Sequence, residues 1–179
     1  MLTSPTQSRP HPDPAGPGAS SRRGLLARAE ELARDPAVRP LLHLEADART
    51  WARIDGPDGC EAWLVGWPPG TGTGWHDHGG ASGAFTVLEG LLEEHTPAAE
   101  PSGETDAVRL PPGGPHRRVL TAGAGRAFGR HHVHDVLSTG TVHAVSLHLY
   151  APALPSMRRF AAHGGLLRLV DVEHPGAWT

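Results

Sequence analysis

Two histidines one residue apart, His76 and His78, stand in a glycine-rich run of the chain. If this run is extended, successive side chains alternate between faces, so both imidazoles project to one side and Asp77 to the other. Two imidazoles on one face can bind the same divalent metal ion. The spacing therefore predicts part of a metal site, and a polar surface turn that contains histidine is the alternative interpretation.

A second segment whose residues could take part in chemistry is the run from Val145 to Tyr150, which alternates strictly between apolar and polar residues. This period of two is typical of a β-strand, and its polar face carries Ser146, His148 and Tyr150. Two interpretations stay open at this point. The strand is either half exposed, with its polar side in water, or its polar side lines the cavity of a barrel.

The elements around these segments divide the chain into three parts. Residues 1–21 are rich in proline, glycine and serine, which predicts a disordered tail. Residues 22–48 carry apolar residues at helical spacing, which predicts a helical segment. From residue 49 to residue 179, short apolar runs alternate with glycine, proline and aspartate clusters, which predicts an all-β sandwich or barrel.

Composition narrows the classes of function. The formal net charge is −3 with both signs interspersed, so nothing indicates binding to nucleic acid or to a membrane surface. Cys60 is the only cysteine, which excludes an internal disulfide and a cysteine-based zinc site. No apolar run approaches the length of about 20 residues that crosses a bilayer. We therefore expect a cytoplasmic protein.

These segments resemble the cupin superfamily and, within it, the thiol dioxygenases, chiefly the bacterial type of the cysteine dioxygenase type I family. The first cupin motif corresponds to Gly70, His76, His78 and Gly90. Gly83 stands where most cupins have a glutamate ligand, and loss of that carboxylate is itself typical of cysteine dioxygenases. The resemblance covers about residues 50–155.

The second motif of the family corresponds to the run from His132 to Val136 and to the strand from Ser146 to Tyr150. The resemblance implies a mainly β fold, a cupin-type β-barrel (double-stranded β-helix or jelly roll) with a short N-terminal helical segment. It also implies a bound Fe(II) ion held by His76, His78 and His134. His132, two residues from His134, is the competing candidate for the third ligand.

The resemblance further implies roles for residues around the metal. Arg53, in the first barrel strand, would bind the carboxylate of the substrate through two parallel hydrogen bonds; a surface arginine beside Asp55 is the alternative. Tyr150 would direct its hydroxyl into the pocket, His148 would hold that hydroxyl, and Ser146 would support His148.

The activity that follows from the resemblance is oxidation of L-cysteine by dioxygen to cysteine sulfinic acid, a step of cysteine metabolism. The expected partners are therefore a small-molecule thiol and dioxygen, and we expect the chain to act as a monomer. Two alternatives stay open: a dioxygenase for another small thiol such as 3-mercaptopropionate, and a non-catalytic metal-binding cupin.

Overall fold

The computed structural model describes residues 21–176, which begin with a single α-helix, α1 (Arg22–Ala33). Ser21 caps this helix, because its side chain accepts a hydrogen bond from the backbone N–H of Gly24 at 3.1 Å. A short 3-10 turn at Arg39–Leu41 follows. The predicted disordered tail, residues 1–21, lies outside the described residues apart from Ser21.

The rest of the described chain is built from short strands. They are, in chain order, β1 (Thr50–Asp55), β2 (Glu61–Trp67), β3 (His76–Asp77), β4 (Ser82–Glu89), β5 (Leu91–Thr96), β6 (Ala107–Arg109), β7 (His116–Thr121), β8 (Gly125–Phe128), β9 (Asp135–Leu137), β10 (Ala144–Ala151), β11 (Met157–His163) and β12 (Leu166–Glu173). The predicted mainly β fold is confirmed. The domain boundary predicted at residue 49 stays a prediction, and β1 begins one residue after it.

The strands form three antiparallel sheets. The largest has the order β1-β2-β10-β4-β8, the second β3-β11-β12-β6 and the third β7-β5-β9. In the largest sheet, β10 lies in the centre and pairs along its whole length with β2 and β4. A central strand has all of its backbone groups paired, so β10 is a rigid support for the side chains it carries.

The two faces of β10 have different neighbours, although both are buried. Its apolar face packs with Leu64 of β2 and with Leu25 and Ala29 of α1. Its other face carries Ser146, His148 and Tyr150 toward the interior. The helix therefore covers the outer side of the sheet, and the polar residues of β10 are enclosed by the barrel. Two residues of this polar face, His148 and Tyr150, line an internal cavity, so the cavity-lining interpretation of the strand is confirmed.

None of the helices between residues 21 and 176 has both the length and the apolar composition that a membrane span requires.

The packing of α1 on the sheet leads to a stability prediction. Leu25 is fully buried between α1 and the sheet, so Leu25→Ala removes apolar contacts and leaves a cavity. We expect the free energy of unfolding to fall by about 2–5 kcal/mol, measured by urea unfolding. The matched control is Leu41→Ala, because Leu41 is 58% exposed and should change stability by less than about 0.5 kcal/mol. Equal losses in the two variants would contradict this packing.

Candidate metal centre

Three buried histidines, His76, His78 and His134, come together in the barrel. One ring nitrogen of each lies within 4.8 Å of those of the other two. The ring centroids are 5.1 Å apart for His76 and His78, 4.6 Å for His76 and His134, and 5.1 Å for His78 and His134. The structure thus brings the three sequence-predicted ligands to one point.

The backbone around β3 determines these positions. The N–H of His76 donates to the carbonyl of His134 at 2.9 Å, and the N–H of His134 donates back at 3.0 Å, so the two ligand-bearing segments are paired directly. Gly79, just after His78, has a φ of +57°, and a Cβ there would lie 2.2 Å from Oγ of Ser156. Glycine is required at this turn because no side chain fits.

The ring nitrogens of the three histidines fit a bound metal ion. Nδ1 of His76 donates to the carbonyl of Gly74 at 2.9 Å, which leaves its Nε2 lone pair free. Neither ring nitrogen of buried His78 has a hydrogen-bond partner among residues 21–176. Buried polar atoms without partners are costly, and a divalent cation would satisfy them.

Burial keeps the three imidazoles in the form that binds metals. Removal from water lowers the pKa of His76 to about 3. The pKa values of His78 and His134 are also well below the usual range, first because of burial and then because neighbouring imidazoles disfavour a second charge. The triad is therefore neutral at physiological pH, with lone pairs available for a cation.

Behind His134 lies a carboxylate that the sequence analysis did not identify. Glu94 of β5 is completely buried, and its Oε1 lies 3.0 Å from Nδ1 of His134 and 3.0 Å from Nε2 of His132. Its Oε2 lies 2.8 Å from Nε of Arg126. A carboxylate that accepts the second N–H of a metal-binding histidine fixes the ring orientation and strengthens it as a ligand. The available signal was position, because Glu94 shares the inward face of β5 with buried Leu92.

These contacts bear on the choice between His132 and His134 as the third ligand, which stays a prediction. Glu94, His132 and His134 also have potential ligand atoms within 4.8 Å of one another. That second group, however, is joined internally by hydrogen bonds to Oε1 of Glu94, and Nε of Arg126 lies 2.8 Å from Oε2 as an ion pair without hydrogen-bond geometry. The buried imidazole nitrogens that lack a partner among the described residues belong to His78, and this favours the all-histidine set.

Next to the triad is a cavity of about 360 Å³, lined in part by His76, His134, His148 and Tyr150. A hydrogen-bonded row runs along its wall. Nε2 of His148 lies 2.8 Å from Oγ of Ser146, and Nδ1 lies 3.4 Å from the hydroxyl of Tyr150. Burial lowers the pKa of His148 to about 3 and raises that of Tyr150, so both side chains are neutral.

Trp67 extends this row in a way that the sequence analysis did not foresee. Its indole Nε1–H donates to Oγ of Ser146 at 2.8 Å. The hydroxyl proton of Ser146 is then directed to Nε2 of His148, which places the imidazole proton on Nδ1, facing Tyr150. In this arrangement the hydroxyl proton of Tyr150 is free to be donated into the cavity.

The arginine that the sequence analysis selected lies away from this cavity. The side chain of Arg53 is 66% exposed, and its Nε lies 3.2 Å from Oε1 of Glu61. It lines a separate surface depression with Asp55. The structure therefore brings together the three histidines, His148 and Tyr150, with Ser146 behind them, and leaves Arg53 outside.

A different arginine, Arg49, lines the cavity. Its guanidinium carbon lies 5.3 Å from the centre of the Trp67 ring, and burial lowers its pKa. No carboxylate of the described chain lies within 4.0 Å of it, whereas Arg159, also in the wall, is paired with Glu173 at 2.8 Å. Arg49 was missed because it precedes β1 and belongs to no strand pattern.

Curled antiparallel sheets that enclose a cavity beside three histidines able to bind a metal are the architecture of the cupin class. The sequence model of the family described as "Cysteine dioxygenase type I" matches residues 34–163. The chain belongs to this family. Membership supports a metal-dependent dioxygenase, and it confirms the family that the sequence motifs indicated. A comparison with curated proteins gives no match.

Solved structures agree with the fold. The TT1209 protein of Thermus thermophilus is 16% identical, with a TM-score of 0.51 over 65% of this chain and 94% of the other. A Klebsiella pneumoniae protein with a double-stranded β-helix domain is 15% identical, with a TM-score of 0.50 over 77% and 97%. An oxalate oxidase is 17% identical, with a TM-score of 0.51 over 65% of this chain and 58% of its own. At such identities the likeness shows the cupin fold alone.

The contact between Glu94 and His134 leads to a prediction about metal affinity. Glu94→Gln weakens the acceptor for the Nδ1–H of His134 and leaves Arg126 without its charge partner. We expect about 10- to 100-fold lower affinity for Co(II), measured by competition with a chelator. Glu93→Gln is the matched control, since Glu93 lies on the opposite face of β5 and contacts His95 instead. Equal affinities for the two variants would contradict the role of Glu94.

Proposed function

We propose that the protein is an Fe(II)-dependent thiol dioxygenase that converts L-cysteine and dioxygen into cysteine sulfinic acid. The observation that carries the proposal is the ligand set of three neutral imidazoles with no carboxylate among them. A divalent ion in such a set keeps its full 2+ charge and favours a thiolate as an added ligand. A substrate that brings its own negative charge suits this site.

In this proposal His76, His78 and His134 hold the metal, which supplies the redox chemistry that joins dioxygen to sulfur. The overall reaction balances without another reactant. The thiol sulfur gains two oxygen atoms and loses four electrons, and dioxygen takes those electrons. The protein itself contributes binding, orientation and exclusion of water.

Tyr150 is proposed to donate its hydroxyl proton to the bound substrate. The row from Trp67 through Ser146 and His148 supports this role, because it supplies a donor to the tyrosine oxygen and leaves the tyrosine proton free. The raised pKa of Tyr150 keeps that proton in place at physiological pH. Tyr150 and His148 are thus the proposed catalytic pair, with Ser146 holding His148.

Arg49 is the group proposed to bind the carboxylate of the substrate. It lines the cavity and has no carboxylate within 4.0 Å in the described part of the chain, where Asp135 and Glu173 act on it at longer range. A guanidinium binds a carboxylate through two parallel hydrogen bonds. Arg53, which the family resemblance selected, would need to leave Glu61 and turn inward to play this part. We also propose that the enzyme works as a monomer in the cytoplasm in the breakdown of cysteine.

The direct test is oxygen uptake by the Fe(II)-loaded protein with L-cysteine and, in parallel, with 3-mercaptopropionate. We expect uptake with L-cysteine and a product heavier by two oxygen atoms in mass spectrometry. Faster turnover of 3-mercaptopropionate would retain the chemistry and replace the substrate. Bound iron without uptake for either thiol would contradict the proposal and favour a non-catalytic metal-binding cupin.

Substitution of the two arginines separates their roles. Arg49→Ala removes the cavity cation, so we expect KM for L-cysteine to rise about 10- to 100-fold, as loss of about 1.5–3 kcal/mol of charge-assisted hydrogen bonding requires. Arg53→Ala is the matched control, and its KM should change less than threefold. Iron content, measured by atomic absorption, should be unchanged in both. A larger effect for Arg53→Ala would return the carboxylate-binding role to Arg53.

A further inference from the structure

A second cavity, of about 420 Å³, lies outside the metal centre and shares no lining residue with the first. Its walls come from the end of β5 with the loop that follows, from β7 and β8, and from the segment that carries His132. The family resemblance gives no role to this cavity. Its lining is nevertheless rich in positively charged side chains. One of them, Arg126, contacts Glu94, which is the hydrogen-bond partner of His134.

Three arginines, Arg117, Arg118 and Arg126, border this second cavity, whose wall holds a single carboxylate, that of Glu100. Arg118 lies opposite Glu94 in the β5–β7 pair and shares its face, whereas Arg117 lies opposite His95 on the other face. Two imidazoles, those of His116 and His132, complete the set of nitrogen-bearing side chains. A concave site lined by one sign of charge concentrates ions of the opposite sign. The electrostatic character of this cavity is therefore that of an anion site.

The positive charge of the second cavity is not cancelled within the described chain. Neither Arg117 nor Arg118 has a carboxylate within 4.0 Å in residues 21–176, and both are exposed. The carboxylate of Glu100 lies 3.5 Å from Arg22 of α1 and accepts the backbone N–H of His131 at 3.3 Å. The guanidinium of Arg118, on the same face of β7 as the cavity residue His116, thus remains available to a ligand.

The donors define the class of ligand. Guanidinium groups present planar pairs of N–H donors that match the oxygens of phosphate, sulfate or carboxylate. The two guanidinium groups of Arg118 and Arg126 around one cavity favour an anion with more than one negative charge over a singly charged one. A cavity of about 420 Å³ has room for a free oxyanion or for one carried on a small organic molecule.

We propose that this second cavity is a binding site for an oxyanion of the phosphate or sulfate type, linked to the metal centre through Arg126 and Glu94. The linkage follows from the contacts. Arg126 lies in the wall of the cavity, and its Nε is 2.8 Å from Oε2 of Glu94. The other oxygen of Glu94 accepts from His134 at 3.0 Å.

An anion on Arg126 competes with Glu94 for the same guanidinium. Glu94 then interacts more strongly with its remaining donors, His132 and His134, so the anion changes the strength of a metal ligand. Such coupling is reciprocal, since any change in metal affinity caused by the anion equals the change in anion affinity caused by the metal. The site would thus let the concentration of an oxyanion adjust metal occupancy.

Calorimetric titration of the metal-loaded protein with inorganic phosphate at constant ionic strength tests the site. We expect saturable binding for phosphate and sulfate but not for chloride, and glycerol phosphate in a parallel titration distinguishes a carried oxyanion from a free one. Arg117→Gln/Arg118→Gln should weaken phosphate binding at least tenfold. Absence of saturable binding to the wild-type protein at millimolar phosphate would overturn the proposal.

The matched control is Arg109→Gln/Arg168→Gln, which removes two exposed arginines from β6 and β12, outside the cavity. Phosphate affinity in this variant should stay within twofold of wild type, and thermal unfolding confirms that both variants are folded. Phosphate bound directly to the metal would survive the Arg117/Arg118 substitutions, and that result would overturn the proposal. Neither readout depends on the dioxygenase activity.

The linkage is tested with sulfate, which binds metal ions weakly in solution. Affinity for Co(II) is measured with and without saturating sulfate, in the wild type and in Arg117→Gln/Arg118→Gln. We expect at least a threefold change in the wild type and none in the double variant. Equal Co(II) affinities in the wild type with and without sulfate would overturn the linkage to His134.

Discussion

The structure depends on holding three uncharged imidazoles against one another inside the barrel. Water is excluded from all of them, so the protonated forms are strongly disfavoured and the rings stay neutral. A neutral ring must also be oriented so that one nitrogen lone pair faces the centre of the site. This requires a hydrogen-bond acceptor for the N–H of the other ring nitrogen. The carbonyl of Gly74 is this acceptor for His76 and the carboxylate of Glu94 is the acceptor for His134.

Glu94 affects the charge of the candidate metal site as well as the orientation of His134. In the proposed metal site, a carboxylate in direct contact with the ion would cancel part of its charge, whereas one behind His134 would strengthen that ligand and leave the charge for the proposed thiolate. A buried carboxylate is tolerated only with partners, and His132, His134 and Arg126 are those partners. Arg126 in turn connects this interior network with a cationic cavity on another side of the barrel.

Strand β10 contributes both to the stability of the fold and to the candidate site. β10 is buried on both faces, and its apolar residues pack toward α1 while its polar residues enter the cavity. The helix is therefore part of the support of the site, since it covers a sheet face that would otherwise meet water. Within the cavity, Arg49 contributes a cation with no carboxylate of the described residues within 4.0 Å, and Arg159 is paired with Glu173.

The sequence by itself determined the features that are local or periodic. The alternation around His148, the helical spacing after Ser21 and the glycine-rich turns predicted the elements. The spacing of His76 and His78 predicted part of a metal site, and the family resemblance added His134, which the structure brings next to them. Only the tertiary structure revealed Glu94, Arg49 and Trp67. Their contacts join residues 18 to 79 positions apart, and no short spacing encodes such pairs. The family resemblance placed Arg53 at the cavity, whereas in the structure it is exposed and lies beside Glu61. Strand alternation determines the face on which a residue lies but not how far along that face the cavity extends.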